Sequence, residues 1–147
     1  LYPDHLAAYE IGNATRTCPE DLTRVGNRGY DEYYTYKYNW NIGWTSGSLA
    51  PGKVKSPSRT LLFSDGFGEL FSIYSGYLYP RIMSWKYARG ASHNRKLLGY
   101  TVGPWNQPAV RGVNNVLYVD GSVRSVKAIY DKATPAPWPN TVIDPRE

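Results

Sequence analysis

Val113-Asn114-Asn115-Val116-Leu117-Tyr118-Val119-Asp120-Gly121-Ser122-Val123-Arg124-Ser125-Val126 is the stretch whose reading decides the fold. An apolar run reaches Asp120-Gly121, and a second run of alternating character leaves it. Two such runs around an Asp-Gly pair specify a β-hairpin. The pair suits a type I′ turn, whose two central residues both need φ > 0. The return strand extends toward Tyr130.

Working upstream, residues 33–42 alternate with period two. Tyr34, Tyr36, Tyr38, Trp40 and Ile42 fall on one face, and Thr35, Lys37, Asn39 and Asn41 on the other. That period predicts a half-buried strand of an antiparallel sheet, its aromatic face serving as core or as a contact surface. Residues 59–64 read as a short central strand and 81–87 as another. The pattern over 66–79 does not separate strand from loop. Residues 43–58 and 97–112 read as loops, punctuated by Pro51-Gly52, Gly103-Pro104 and Gln107-Pro108. Residues 4–11 suit a short helix, with Asp4 as N-cap and Gly12 near its end.

Residues 133–147 hold Pro135, Pro137, Pro139 and Pro145. Proline has no N–H to give a ladder, so this segment is expected to be extended rather than a central strand. It reads either as a disordered end or as an arm anchored on a neighbouring subunit by Trp138. The expected class is therefore α+β, mainly β: an antiparallel sheet with a C-terminal hairpin, one short N-terminal helix, long loops and a Pro-rich tail. Residues 1–132 form one globular domain and 133–147 the tail.

The 147 residues are enough to bury a core without covalent staples. Polar-tipped aromatics dominate, 14 Tyr and 5 Trp against 3 Phe, which suits surfaces half buried and half wet. A net charge of +5 hints at an anionic partner, but the chain has no Lys/Arg run and no nucleic-acid motif. Cys18 is the only cysteine, so no disulfide forms within the chain, and it reads as a small buried apolar residue. No apolar stretch approaches the roughly 18 residues of a membrane span. Asn13-Ala14-Thr15 fits an N-glycosylation sequon.

The search for chemistry returns little. Only His5 and His93 are available as imidazole bases, and there is no nucleophile elbow, phosphate loop or dinucleotide fingerprint. The best polar constellation is Asp65, His93 and Asp120. Asp65 and Asp120 each precede a glycine and read first as turn residues. A sharper reading brings them together at one sheet end as oxygen ligands for Ca²⁺, although the ligands that can be nominated are too few. A hydrolase using the same pair would need the two carboxyls about 5–10 Å apart. If His93 joins them, a buried His–Asp hydrogen bond that fixes a long loop is expected before catalysis.

The hairpin wording, Asn115-Val116-Leu117-Tyr118-Val119-Asp120-Gly121, resembles the C-terminal signature of a bacterial pilin-like, or pseudopilin, family. Its members begin with a prepilin-type helix and end in His, nine residues, Asp-Gly. Val110 stands at the histidine position, and the nearest upstream histidine is His93, in Ser92-His93-Asn94. An insertion over roughly residues 97–112 would account for the displacement. Leu1-Tyr2-Pro3-Asp4-His5-Leu6, Thr17-Cys18-Pro19-Glu20-Asp21, Tyr36-Lys37-Tyr38-Asn39 and Pro57-Ser58-Arg59-Thr60 through Asp65 resemble further family landmarks in the expected order. The chain begins at Leu1, so a prepilin helix would belong upstream of it.

The resemblance implies a non-enzymatic structural subunit of an extracellular, cell-surface filament, exported by a type II secretion or pilus-like route. It implies helical self-association and no cofactor. Asp65, His93, Asn115, Asp120 and Gly121 would be its structural motif, and Tyr34, Tyr36, Tyr38, Trp40 and Trp138 its assembly contacts. The alternative is an extracellular carbohydrate-binding module that stacks sugars on exposed Trp and Tyr, with Trp40, Trp44, Trp85, Trp105 and Trp138 as candidates.

Overall fold

The computed structural model describes residues 36–42, 49–65, 81–82, 85, 91, 93–102, 107–132 and 136–147. Among them run six strands: β1 Tyr36–Asn39, β2 Leu61–Asp65, β3 Arg81–Ile82, β4 His93–Val102, β5 Gln107–Tyr118 and β6 Val123–Tyr130. All belong to one sheet, and every pairing is antiparallel except the short β1–β3 contact. The α+β expectation is corrected to a β-rich class. The described residues contain no α-helix; Pro51–Lys53 form a 3-10 turn. The helix expected over 4–11 lies outside them.

β5 is the spine. β6 pairs along one edge of it, from Val110↔Tyr130 to Leu117↔Val123. The other edge is shared end to end. β4 occupies the first part, from Val102↔Gln107 to His93↔Val113, and β2 the last, through Ser64↔Val116 and Leu61↔Tyr118. The two strands run in the same direction and meet opposite Asn114 and Asn115. The segment expected to be a loop over 97–112 is thus mostly strand. Its hydrophobic alternation is broken by irregularities at Asn94 (φ 50°) and Gly99 (φ 83°), where the pairing register shifts.

The hairpin stands, with a different turn. Asp120 does not adopt positive φ, whereas Gly121 does, at 85°. Gly121 N donates to Tyr118 O at 3.0 Å, and Tyr118 N to Ser122 O at 2.9 Å. This is a three-residue loop, a type I turn closed by a left-handed glycine, rather than type I′. Asp120 Oδ1 accepts from Ser122 N and Oγ, which fixes the turn from its own side chain.

Alternation along β5 and β6 puts Val110, Val116, Tyr118, Val126, Ala128 and Tyr130 on one buried face. Leu61 joins them from β2. The cover on that face includes the C-terminal segment. Trp138 and Ile143 belong to the same buried cluster, and Trp138 meets Trp85 edge-to-face at 5.5 Å. Val142 forms a parallel bridge with Thr60: Val142 N donates to Arg59 O, and Leu61 N to Val142 O. Tyr118 Oη lies 2.7 Å from Thr141 Oγ1, which donates onward to Pro139 O. The segment is extended, and it is held by its own fold.

Asn39 makes the same closure from the opposite side. It is 1 % exposed, while Tyr38 and Trp40 beside it are half-buried. Its Nδ2 donates to Leu61 O at 2.9 Å and to Ile143 O at 2.7 Å. The face assignment for β1 is accordingly revised, because a distant carbonyl supplies the partner that lets an amide side chain be the buried one.

Candidate functional site

The site lies where β2 hands over to β4 along the edge of β5. A strand whose neighbour ends leaves a backbone donor without a ladder partner, and a buried donor must find another acceptor. Here the donor is Asn115 N and the acceptor is Oδ1 of Asp65, 2.6 Å away. Oδ2 of Asp65 accepts from Asn115 Nδ2 at 3.1 Å and meets Nε2 of His93 at 2.6 Å. Ser125 Oγ of β6 donates to Asn115 Oδ1 at 2.8 Å. One hydrogen-bonded chain therefore crosses four strands on the face away from the core.

Asp65 comes from the last position of β2 and His93 from the first of β4. Their side chains are 2 % and 20 % exposed. Loss of water pushes the Asp65 carboxyl above the ordinary carboxylate range, against the His93 and Asn115 hydrogen bonds that favour its charged form. Both carboxylate oxygens are engaged inside the fold, so the geometry suits a clasp.

Gly112 makes the clasp sterically feasible. A Cβ there would stand 2.5 Å from the carbonyl oxygen of His93 and 2.9 Å from Ala91 Cβ. Only glycine lets β5 pass this close to the start of β4. Asn94, in the left-handed region, turns the backbone immediately after His93.

Asp120 does not join the clasp. Its N donates to Pro57 O, ahead of the start of β2, whereas Asp65 ends that strand. The two ends of β2 are about 13 Å apart at some 3.3 Å per residue. The convergence of Asp65 and Asp120 at one sheet end is thus corrected: the antiparallel register sends them to opposite ends, for calcium and for hydrolysis alike. Among the described residues no group of three or more His, Cys, Asp or Glu is placed to hold a metal ion. The exposed Asp120 carboxyl is held below its usual range by the hydroxyl and amide of Ser122.

The aromatic candidates are dispersed. Trp138 is buried in its own core, and half-buried Trp85 packs on it. Tyr38 packs on Trp40 and Phe63, at centroid distances of 5.8 and 6.2 Å. Tyr36 is in register with Asp65. Asn13, Tyr34, Trp44 and Trp105 lie outside the described residues. Pro57-Ser58-Arg59-Thr60 forms the turn into β2: Ser56 O accepts from Arg59 N, Thr60 N and Thr60 Oγ1.

The buried role of Asn39 and the close approach at Gly112 are not legible in the sequence. An asparagine inside the alternating run 33–42 is disfavoured in a strand, and that is the signal of a specific partner.

No family model, no curated protein and no solved structure matches this chain.

Proposed function

We propose that this chain is the globular part of a pilin-like structural subunit, a non-enzymatic component of an extracellular filament or cell-surface assembly. The observation that carries the reading is the register of His93. It pairs with Val113, so the chain runs out along β4 and comes back along β5 to the same height. Removing 95–111 would join Asn94 to Gly112. Asn94, Gly112 and the seven residues 113–119 are nine, so the shortened chain would read His, nine residues, Asp120-Gly121. The β4–β5 arm is then an insertion in a two-residue turn, and His93 is the motif histidine. Its role is the clasp on Asp65, which is architectural.

The test is assembly of the full-length gene product. Sedimentation and negative-stain microscopy over a concentration series should show filaments or ordered particles containing this domain. A strictly monomeric product that binds neutral glycans and loses them on Trp40→Ala would replace this reading with the carbohydrate-binding module.

A further inference from the structure

The face of β4–β5–β6 that carries the clasp continues into a cluster of cations. Lys96 stands directly opposite Arg111, and Arg111 opposite Ile129; one step along, His93, Val113 and Lys127 form the next row. Lys96, Arg111 and Lys127 are exposed, and none of the three makes a hydrogen bond or ion pair through its side chain. The acid next along the chain, Asp131, makes no ion pair with them. Like charges placed directly across a sheet oppose folding. Among the described residues no acid pairs with these cations, so an anion arriving at the face would relieve their repulsion.

From this arrangement we infer that the outer face of β4–β5–β6 binds a linear acidic polysaccharide, with Lys96, Arg111 and Lys127 as its carboxylate or sulfate contacts. The proposal is independent of the filament reading. Adjacent strands lie about 4.8 Å apart, close to the length of one sugar unit, so a chain lying across the strands presents successive acidic groups to successive cations. The open face of the sheet suits an extended ligand, and exposed Ile129, opposite Arg111, offers apolar contact to a ring face. Lys96, Arg111, Val113, Lys127 and Ile129 include no aromatic ring, so these five offer no stacking platform of the kind that single-stranded nucleic acid uses. A second copy docked face to face on this patch would set the same three cations against Lys96, Arg111 and Lys127.

The experiment measures binding of the full chain to immobilised polygalacturonate and to dextran sulfate, with neutral dextran as reference. Binding should weaken roughly 20–40-fold between about 50 and about 200 mM salt, as release of counterions from three contacts requires. Arg111→Glu should lower affinity about tenfold or more, and the combination with Lys96→Gln and Lys127→Gln should abolish it. Lys53→Glu with Lys55→Glu, exposed residues outside this face, should leave affinity within about twofold. Equal losses in both sets would reduce the effect to net charge and overturn the proposal. So would binding to vesicles of anionic lipid, but not to either polysaccharide, that depends on the same three residues. Circular dichroism of each variant excludes unfolding as the cause, and the single Gln variants serve if Arg111→Glu does not fold.

Discussion

His93 Nε2 lies 2.6 Å from Asp65 Oδ2 although 28 positions separate the two residues. Neither is placed by its own neighbours in sequence. β5 places both, holding Ser64 against Val116 and His93 against Val113. The pair therefore reports that two strand segments have docked end to end on one edge, and it is a local measure of whether the sheet is complete.

Asp65→Ala should remove about 1–3 kcal/mol of stability, because Asn115 N is left without its acceptor in a buried setting. Asp65→Asn should cost less, since an amide oxygen can still accept that bond. Urea denaturation followed by tryptophan fluorescence measures both. A loss below about 0.5 kcal/mol for the alanine variant, the level of an ordinary surface change, would show that the clasp does not hold the junction.

The two aspartates should respond to acid in opposite senses. Burial raises the Asp65 pKa above the 3.8 of a free aspartate, so the folded state holds that proton more tightly than the unfolded chain. Its contribution is full below 3.8 and is lost as pH rises through the raised value. The Asp120 pKa is lowered from 3.8, so its contribution is full above that value and disappears as pH falls through the lowered one. Stability measured against pH, as differences between wild type and Asp65→Asn or Asp120→Asn, should slope in opposite directions. Parallel slopes would contradict the assignment.

Gly112→Ala should destabilise by about 1–3 kcal/mol or more, since the atoms in its way are the backbone of His93 and the Cβ of Ala91, which have no rotamer to change. Gly52→Ala meets nothing within 4 Å and should stay within about 0.5 kcal/mol of wild type. Thermal melts of the two variants side by side decide it: equal melting temperatures would mean that β4 and β5 separate freely at His93.

Asn39→Ala should cost about 1–3 kcal/mol, because it strands the carbonyls of Leu61 and Ile143. Hydrogen exchange gives the sharper readout. Amides donated to the C-terminal segment and from it, Lys55 N and Val142 N, should lose protection before those of β5 and β6. Uniform loss would mean that the segment is not a separate cooperative unit.

What could be read from residues alone was what local rules govern. The Asp120-Gly121 hairpin and the strand character of 36–39 follow from turn chemistry and period two. The turn type did not, since Asp-Gly also suits a three-residue loop in which glycine alone takes positive φ. The buried side of β1 did not either, because the partner of Asn39 lies 104 positions away. Asp65 and His93 were singled out together, yet Asp120 was grouped with them until the register of β2 on β5 separated the two carboxylates. The proline-rich segment was read as outlying because prolines weaken a ladder. In the structure its ladder contact needs one amide, that of Val142, and Pro139 and Pro145 fall where only a carbonyl is used.

The bond between Asn39 and Ile143 also sets a clock on biosynthesis. A ribosome adding roughly 5–20 residues per second needs about 5–20 s to travel from one to the other. Throughout that interval Asn39 awaits the carbonyl of Ile143, and the core lacks Ile143. This part of the core therefore cannot close until residues 138–143 emerge, a window in which it is open to a chaperone or a protease.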